Sequence, residues 1–172
     1  MQRRSEERPD IATVQQPEGP AWFMSEFGAT TSEPLMERLT KIADELQLGW
    51  TYWQWKYYDD PTGSSAEALV QADGSLSPIV HALSRVYPQA VAGTPVSFSF
   101  DPHSDEFHLY YVPTAGIEAP TVIAVPTSLV YPHGYQVSVV GGVVRSAPGA
   151  DRVAVTNVAG APTVAVTIEP TS

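Results

Sequence analysis

The second half of this chain, from about Gly93 to Ser172, alternates apolar with polar residues. Between Val96 and Asp101, for example, valine or phenylalanine occupies every second position, and serine or aspartate lies between them. Turn-forming residues recur about every 8–12 positions. A series of short, half-buried strands of this kind is typical of two packed antiparallel sheets. The sequence therefore predicts a β-sandwich domain over residues 91–172.

Residues 20–90 contain a different order of elements. The apolar run Ala21 to Met24 is typical of a strand buried on both faces, and the aromatic run Trp50 to Trp55 indicates a second one. Between them, Ser32 is a candidate N-cap for a helix that ends before Gly49. Apolar residues recur along it at helical spacing: Leu35, Leu39, Ile42, Ala43 and Leu46. This order predicts a parallel βαβ unit.

A polar loop over residues 56–77 and a short helix from Pro78 to Val86 complete this part of the chain. Two parallel strands and their helices cannot close a barrel or bury both faces of a sheet. A complete (β/α)₈ barrel has about 250 residues. Residues 20–90 are therefore interpreted as the C-terminal part of such a barrel, and the chain is expected to be truncated, split or mis-started.

Composition excludes several classes of protein. Residues 1–19 are polar and lack periodicity, so they are expected to be a disordered lead-in without the apolar core of a secretory signal. No apolar run reaches the roughly 20 residues of a membrane-spanning helix. The net charge of −10 argues against a nucleic-acid partner. The absence of cysteine excludes disulfides and thiolate metal sites.

Glu26 is the first candidate functional residue, because it follows the first predicted strand at the end where parallel βα folds place catalytic side chains. A glutamate after a strand is also commonly a solvated surface residue. The second predicted strand ends in Trp53, Trp55 and Lys56. An indole beside a carboxylate forms a natural platform for a sugar ring. The two strand ends together therefore indicate a carbohydrate site, with a solvated strand end as the alternative.

The order of these motifs resembles the family 5 glycoside hydrolases. The motif Ser-Glu-Phe-Gly at Ser25 to Gly28, the amphipathic helix, and Gly-Trp-Thr-Tyr-Trp-Gln-Trp at Gly49 to Trp55 are similar to strands seven and eight of their barrel. The continuations Lys56 to Pro61 and Leu83 to Pro95 look like the endoglycoceramidase branch, whose members append a C-terminal β-sandwich to the barrel. The resemblance covers roughly residues 20–170.

This resemblance implies a retaining mechanism that uses two carboxyl groups about 5–5.5 Å apart. It implies that Glu26 is the nucleophile. It also implies that the sugar in the cleavage subsite packs against Trp53, with Trp55 second, and Lys56 is a further candidate substrate contact. The implied substrate is a glycosphingolipid, cut between oligosaccharide and ceramide without a cofactor. The resemblance implies a secreted enzyme, but no signal peptide is expected in this chain, so its localisation stays open.

The chain departs from the family in one essential residue. The family's acid/base glutamate follows an asparagine at the end of strand four, whereas the only asparagine here is Asn157, in the predicted sandwich. Without this general acid, the chain alone is expected not to hydrolyse glycosides. A missing N-terminal barrel segment is therefore a candidate partner. Two other interpretations stay open, which are one half of a split glycosidase and a non-catalytic carbohydrate-binding, lipid-binding or structural sandwich module.

The remaining polar and aromatic clusters give weaker signals. Four histidines lack metal-ligand spacing, so no metal site is expected: His81, His103, His108 and His133. The acidic segment Asp101 to Glu106 could hold Ca²⁺ but fits a solvated hairpin turn better. Gly141 and Gly142 lie between two β-runs and predict a hairpin turn. Four tyrosines either form a binding surface on the sandwich or lie in its core or domain interface: Tyr110, Tyr111, Tyr131 and Tyr135.

Overall fold

The computed structural model describes residues 22–59, 61 and 67–171, so the predicted lead-in at residues 1–19 lies outside the described part. The described elements follow one another in the order β1 (Phe23–Met24), α1 (Glu33–Glu45), β2 (Gly49–Trp50), α2 (Ile79–Leu83), β3 (Tyr87–Ala90), β4 (Gly93–Asp101), β5 (Glu106–Pro113), β6 (Thr121–Ala124), β7 (Tyr135–Val140), β8 (Gly142–Val144), β9 (Arg152–Asn157) and β10 (Val164–Pro170). Neither described helix has the length and apolar character that a membrane crossing requires.

The first part of the chain is a parallel βαβ unit, which confirms the predicted strand–helix–strand order. β1 and β2 lie side by side, with Phe23 opposite Gly49 and Met24 opposite Trp50. The prediction that both strands are buried on both faces was wrong, because Phe23 of β1 is 61% exposed and β2 has an exposed Gly49 and only a half-buried Trp50. The predicted second strand, Trp50 to Trp55, is also shorter than expected, since β2 ends at Trp50. Among the described residues, no third strand pairs with either β1 or β2.

Helix α1 begins where the sequence predicts but turns a different face inward. Ser32 occupies the N-cap position in an extended conformation, and Pro34 lies in the first turn, where its missing N–H costs nothing. The buried positions are Met36, Thr40, Ala43 and Asp44. The predicted core residues Leu35 and Ile42 are exposed instead. The buried face is set by α2, whose Ile79 packs with Met36 in a small separate core.

The second part of the chain is an antiparallel β-sandwich, as predicted. One sheet has the strand order β4-β5-β10-β7 and the other has the order β3-β6-β9-β8. Buried side chains from both sheets form one core: Phe100, Phe107, Leu109, Tyr111, Ile123, Val153, Val155, Val164, Val166 and Ile168. The period-two pattern therefore places its apolar residues between the sheets.

Most of the tyrosines considered as a binding surface lie inside the sandwich. Tyr111, Tyr131 and Tyr135 are buried, and only Tyr110 of the four is exposed. The Tyr111 hydroxyl donates to Asn157 Oδ1 (2.7 Å), so the single asparagine of the chain has a structural role in the sandwich. These contacts favour the interpretation that the aromatic residues stabilise the domain.

Two features of the sandwich differ from the sequence prediction. β3 precedes the predicted boundary at residue 91, yet it pairs with β6, with Tyr87 opposite Ala124. The predicted hairpin at Gly141 was wrong, because β7 and β8 belong to different sheets. Gly141 has a φ of 74°, and a Cβ there would collide with the Thr163 carbonyl oxygen. The crossover between the sheets therefore requires glycine at this position.

A buried ion pair joins α1 to the sandwich. Arg85, just before β3, contacts the carboxylate of Asp44 on α1 and donates from Nη2 to the Phe100 carbonyl (3.1 Å). Its guanidinium also lies over the Phe100 ring, 5.2 Å from the centroid. Burial raises the pKa of Asp44 to about 6, although Arg85 acts in the opposite direction. These contacts fix the βαβ unit against strand β4.

Candidate active site

The ends of the two parallel strands form the candidate site. The backbone N–H of Thr51 donates to the Met24 carbonyl (3.0 Å), and the Thr51 hydroxyl donates to the Ser25 carbonyl (2.6 Å). The second strand thus holds the backbone of the first up to the residue before Glu26. Because carboxyl ends of neighbouring parallel strands lie at one edge of a sheet, Glu26 follows one strand where Trp53 follows the next.

The residues after Glu26 anchor its loop to both the second strand and the helix. The Phe27 ring packs edge-on against Trp50, with ring centroids 5.3 Å apart, and against Tyr52, at 5.9 Å. Gly28 has a φ of 90°, a left-handed conformation that favours glycine. A Cβ at this position would lie 2.6 Å from the Met36 sulfur of α1, so the loop passes close to the helix. Glu26 itself is exposed between these anchors.

The three residues predicted to contact the substrate lie together after β2. Trp53 is 41% exposed, and its ring packs edge-on against Tyr58, with centroids 6.2 Å apart. Trp55 is 70% exposed, and Lys56 is exposed as well. The peptide bond between Trp53 and Gln54 is cis. The structure therefore places two exposed indole rings and an ammonium group on one short segment.

Hydrogen bonds from a later loop fix this segment. Leu69 N–H donates to the Gln54 carbonyl (3.0 Å), and Val70 N–H donates to the Trp55 carbonyl (2.9 Å). The Tyr52 hydroxyl donates to the Glu67 carbonyl (2.9 Å), and burial, assisted by the Glu67 charge, raises the Tyr52 pKa to about 12. Tyr52 therefore stays neutral and acts as a positioning residue, a role that the sequence pattern did not reveal.

This arrangement combines exposed indole rings with one exposed carboxylate. Exposed indoles stack on the apolar faces of sugar rings, and a carboxylate can attack an electrophilic carbon held beside them. A second carboxyl group is required for acid catalysis. Among the described residues, the group with metal-ligand side chains is Glu33, Glu37 and His81, which belongs to the helices instead of the strand ends.

Replacing Gly28 by Ala is expected to destabilise the chain by about 2 kcal/mol or more, because alanine resists this φ and its Cβ would lie 2.6 Å from the buried Met36 sulfur. Gly74→Ala is a matched control, since Gly74 has a similar φ of 84° with no atom within 4 Å of the added Cβ. Urea unfolding of both variants measures the difference. Equal losses would contradict the contact between the Glu26 loop and α1.

Comparison with known proteins connects this geometry to a family. Residues 85–169 match the glycoside hydrolase family 5 C-terminal domain. Endoglycoceramidase I from Rhodococcus hoagii (strain 103S) is 35% identical over 144 residues, which are 84% of this chain and 25% of that protein. The chain is a homologue of the endoglycoceramidases. The family resemblance predicted from the strand-end motifs and the trailing sandwich is therefore confirmed.

Solved structures of the endoglycoceramidases match both parts of the chain. Endo-glycoceramidase II from Rhodococcus sp., described as a lactosyl-enzyme intermediate, has a TM-score of 0.74 and 28% identity, and the match covers 94% of this chain and 36% of that one. The ganglioside GM3 complex of endo-glycoceramidase II has a TM-score of 0.72 and 29% identity, over 88% and 32% of the two chains. This endoglycoceramidase homologue thus spans a quarter to about a third of the length of these relatives.

Proposed function

We propose that this chain supplies the C-terminal part of a retaining, endoglycoceramidase-like active site, with Glu26 as the nucleophile and Trp53, Trp55 and Lys56 as substrate contacts. The observation that carries the proposal is the pairing of β1 with β2, which brings a carboxylate and exposed indoles to the ends of neighbouring parallel strands. The similarity to a chain described as a lactosyl-enzyme intermediate supports it, because such an intermediate requires a nucleophile.

The proposed reaction is a double displacement. A Glu26 oxygen attacks the anomeric carbon and forms a glycosyl ester, while a second carboxyl group protonates the departing glycosidic oxygen. That group then takes a proton from water, whose oxygen attacks the anomeric carbon and releases Glu26 as a carboxylate. Because no Asn-Glu pair occurs in the sequence, we assign the acid/base group to a barrel segment outside these 172 residues.

The proposed substrate is a glycosphingolipid, cleaved between its oligosaccharide and its ceramide. Support comes from the aromatic strand end, where Trp53 and Trp55 offer faces for a sugar, and from the related enzyme in complex with ganglioside GM3. Lys56, next to Trp55, adds a positive charge and hydrogen-bond donors for sugar hydroxyls or an acidic sugar.

The proposed partner is the upstream part of the barrel. Trp22, just before β1, and Phe23, in β1, are 62% and 61% exposed, and Leu35 and Ile42 are exposed on α1. Large apolar side chains on the edge of a parallel sheet and on one helix face are normally covered by neighbouring βα units. We infer that such units, covalently attached or separate, cover these residues in the active protein.

The test compares the 172-residue chain with a chimera in which the upstream barrel of Rhodococcus hoagii endoglycoceramidase I precedes residue 22. The chain alone is expected to release no oligosaccharide from GM3, whereas the chimera releases it, because only the chimera contains the acid/base group. Chromatography of the released glycan measures both. Hydrolysis by the chain alone would contradict the assignment of the acid/base group, and a folded but inactive chimera would contradict the proposed function.

A further inference from the structure

Away from the strand ends, one group of side chains brings metal-ligand atoms together. Glu33 and Glu37 lie one turn apart on α1, and His81 lies on α2. One ligand atom from each residue lies within 4.8 Å of the other two. The Nδ1 atom of His81 is 3.2 Å from Oε1 of Glu33. Two carboxylates and an imidazole therefore converge from two helices.

A second imidazole reaches the same cluster from the sandwich. His103 lies in the turn between β4 and β5, and its Nε2 atom is 3.6 Å from Oε2 of Glu37. The backbone N–H of His103 donates to Asp101 Oδ1 (2.9 Å), which fixes the shape of the turn. His103 is not one of the three residues whose ligand atoms all lie within 4.8 Å of one another, but it contacts one of them and adds a second imidazole from a third element.

We propose that Glu33, Glu37, His81 and His103 form a binding site for a divalent transition-metal ion, with Zn²⁺ as the best fit. Zinc bonds of about 2.0–2.1 Å in a tetrahedron place neighbouring ligand atoms about 3.3 Å apart. The Glu33–His81 and Glu37–His103 separations, 3.2 and 3.6 Å, are close to that edge. The ligand atoms of Glu33, Glu37 and His81 all lie within 4.8 Å of one another, so an ion would have to draw the wider pairs together. Imidazole nitrogen and carboxylate oxygen are both common zinc ligands.

The charge around the cluster and its access to solvent fit a cation. Two ionised glutamates and two neutral histidines balance the charge of one Zn²⁺. Glu37 and His103 also line a cleft of about 590 Å³ between α1 and the sandwich, which gives an ion a route to the ligands.

The proposed ion has a structural consequence. It would join α1 and α2 of the βαβ unit to the β4–β5 turn of the sandwich, close in sequence to the Asp44–Arg85 ion pair that joins the same two parts. Ligands from separate elements that meet only in the folded chain make metal binding favour the folded state. The site is therefore a metal clamp between the two parts of the chain, and it does not depend on the proposed hydrolase activity.

Isothermal titration of the untagged 172-residue chain with ZnCl₂ tests this site. The expected result is one Zn²⁺ per chain, with affinity lowered at least about tenfold in His81→Ala and in Glu37→Gln. Saturating Zn²⁺ is expected to raise the thermal midpoint of the wild type by about 5 °C and to leave that of His81→Ala unchanged. Circular dichroism checks that each variant is folded, and Glu33→Gln replaces any variant that is not.

Two other histidine variants serve as controls. His108 and Glu106 lie 3.1 Å apart but form only a two-residue pair, and His133 lies outside both groups. His108→Ala and His133→Ala are therefore expected to bind Zn²⁺ as the wild type does. Absence of saturable binding, or equal affinity of the wild type and the folded His81→Ala and Glu37→Gln variants, would overturn the proposed site. The group would then be only a set of surface ion pairs.

Discussion

Glu26→Gln in the chimera with a complete barrel is expected to lower kcat for GM3 hydrolysis at least about a thousandfold, because glutamine is isosteric but cannot form the glycosyl ester. KM is expected to change much less, since the proposed substrate contacts at Trp53 and Trp55 remain. Steady-state measurement of released oligosaccharide gives both constants. A loss confined to KM would contradict the nucleophile assignment and would leave Glu26 as a binding residue.

A matched variant and a rescue experiment distinguish chemistry from misfolding. Glu118→Gln changes an exposed glutamate in the sandwich and is expected to keep wild-type activity. Glu26→Ala leaves space beside the anomeric carbon, so added azide is expected to attack there and give a glycosyl azide of inverted configuration. A misfolded variant would not form this product. Lack of rescue in a folded Glu26→Ala chimera would count against Glu26 as the attacking group.

Arg85→Met is expected to destabilise the chain by about 3–5 kcal/mol at pH 8, because it leaves Asp44 buried without its partner. Arg38→Met is the matched control, since Arg38 is exposed on α1. Its effect should stay within about 0.5 kcal/mol. Urea unfolding gives both values. A loss below about 1 kcal/mol for Arg85→Met would contradict the view that this ion pair joins the two parts of the chain.

The pH dependence of that loss has a defined sign. Burial raises the Asp44 pKa from 3.8 to about 6, so the folded state holds this proton more tightly than the unfolded state. Ionisation of Asp44 therefore opposes folding increasingly from about pH 4, and in the wild type this effect stops growing above about pH 6. Without Arg85 it continues to grow at higher pH. The loss caused by Arg85→Met is thus expected to be smaller at pH 5 than at pH 8.

A second substitution shows whether the loss comes from an unpaired charge. Asp44→Leu combined with Arg85→Met replaces the ion pair by apolar side chains of similar size. The double variant is expected to recover most of the stability lost in Arg85→Met and to lose its dependence on the titration of Asp44. No recovery would mean that Arg85 acts mainly through its contacts with Phe100.

The sequence predicted those parts of the fold that depend on local periodicity. The period-two pattern after Gly93 predicted the sandwich, and the apolar runs on either side of a helical pattern predicted the βαβ unit. The pattern could not show which sheet each strand joins. For this reason a hairpin was predicted at Gly141, where the chain crosses from one sheet to the other. β3 was missed because Tyr87 and Pro88 also fit the end of a helix.

The periodicity of the sequence could not predict contacts between segments that are distant along the chain. The buried face of α1 depends on α2, so Met36 and Asp44 are inside, whereas Leu35 and Ile42, which fit the helical spacing, are exposed. A helical aspartate such as Asp44 is normally predicted to face solvent. Its buried partner, Arg85, comes from a separate segment of the chain and could not be predicted. The Glu33–Glu37–His81 cluster was missed for the same reason, since His81 comes from a separate helix.

The order of motifs also supplied the candidate site residues, whose roles stay predictions. Glu26, Trp53, Trp55 and Lys56 were chosen because they follow two predicted parallel strands, and in the structure Glu26 follows β1 and the other three follow β2. The residues that hold them there could not be predicted. Thr51, which donates to the Ser25 carbonyl, looks like any strand residue until the register of the two strands is known.

Trapping the covalent intermediate tests the central claim most directly. A 2-deoxy-2-fluoro-lactoside with a good leaving group forms the glycosyl ester readily, and its fluorine slows the hydrolysis that follows. Mass spectrometry of the digested chimera should find one added fluorolactosyl group, and fragmentation should place it on Glu26. A label on any other residue, or steady hydrolysis without a covalent adduct, would contradict the assignment of Glu26 as the nucleophile.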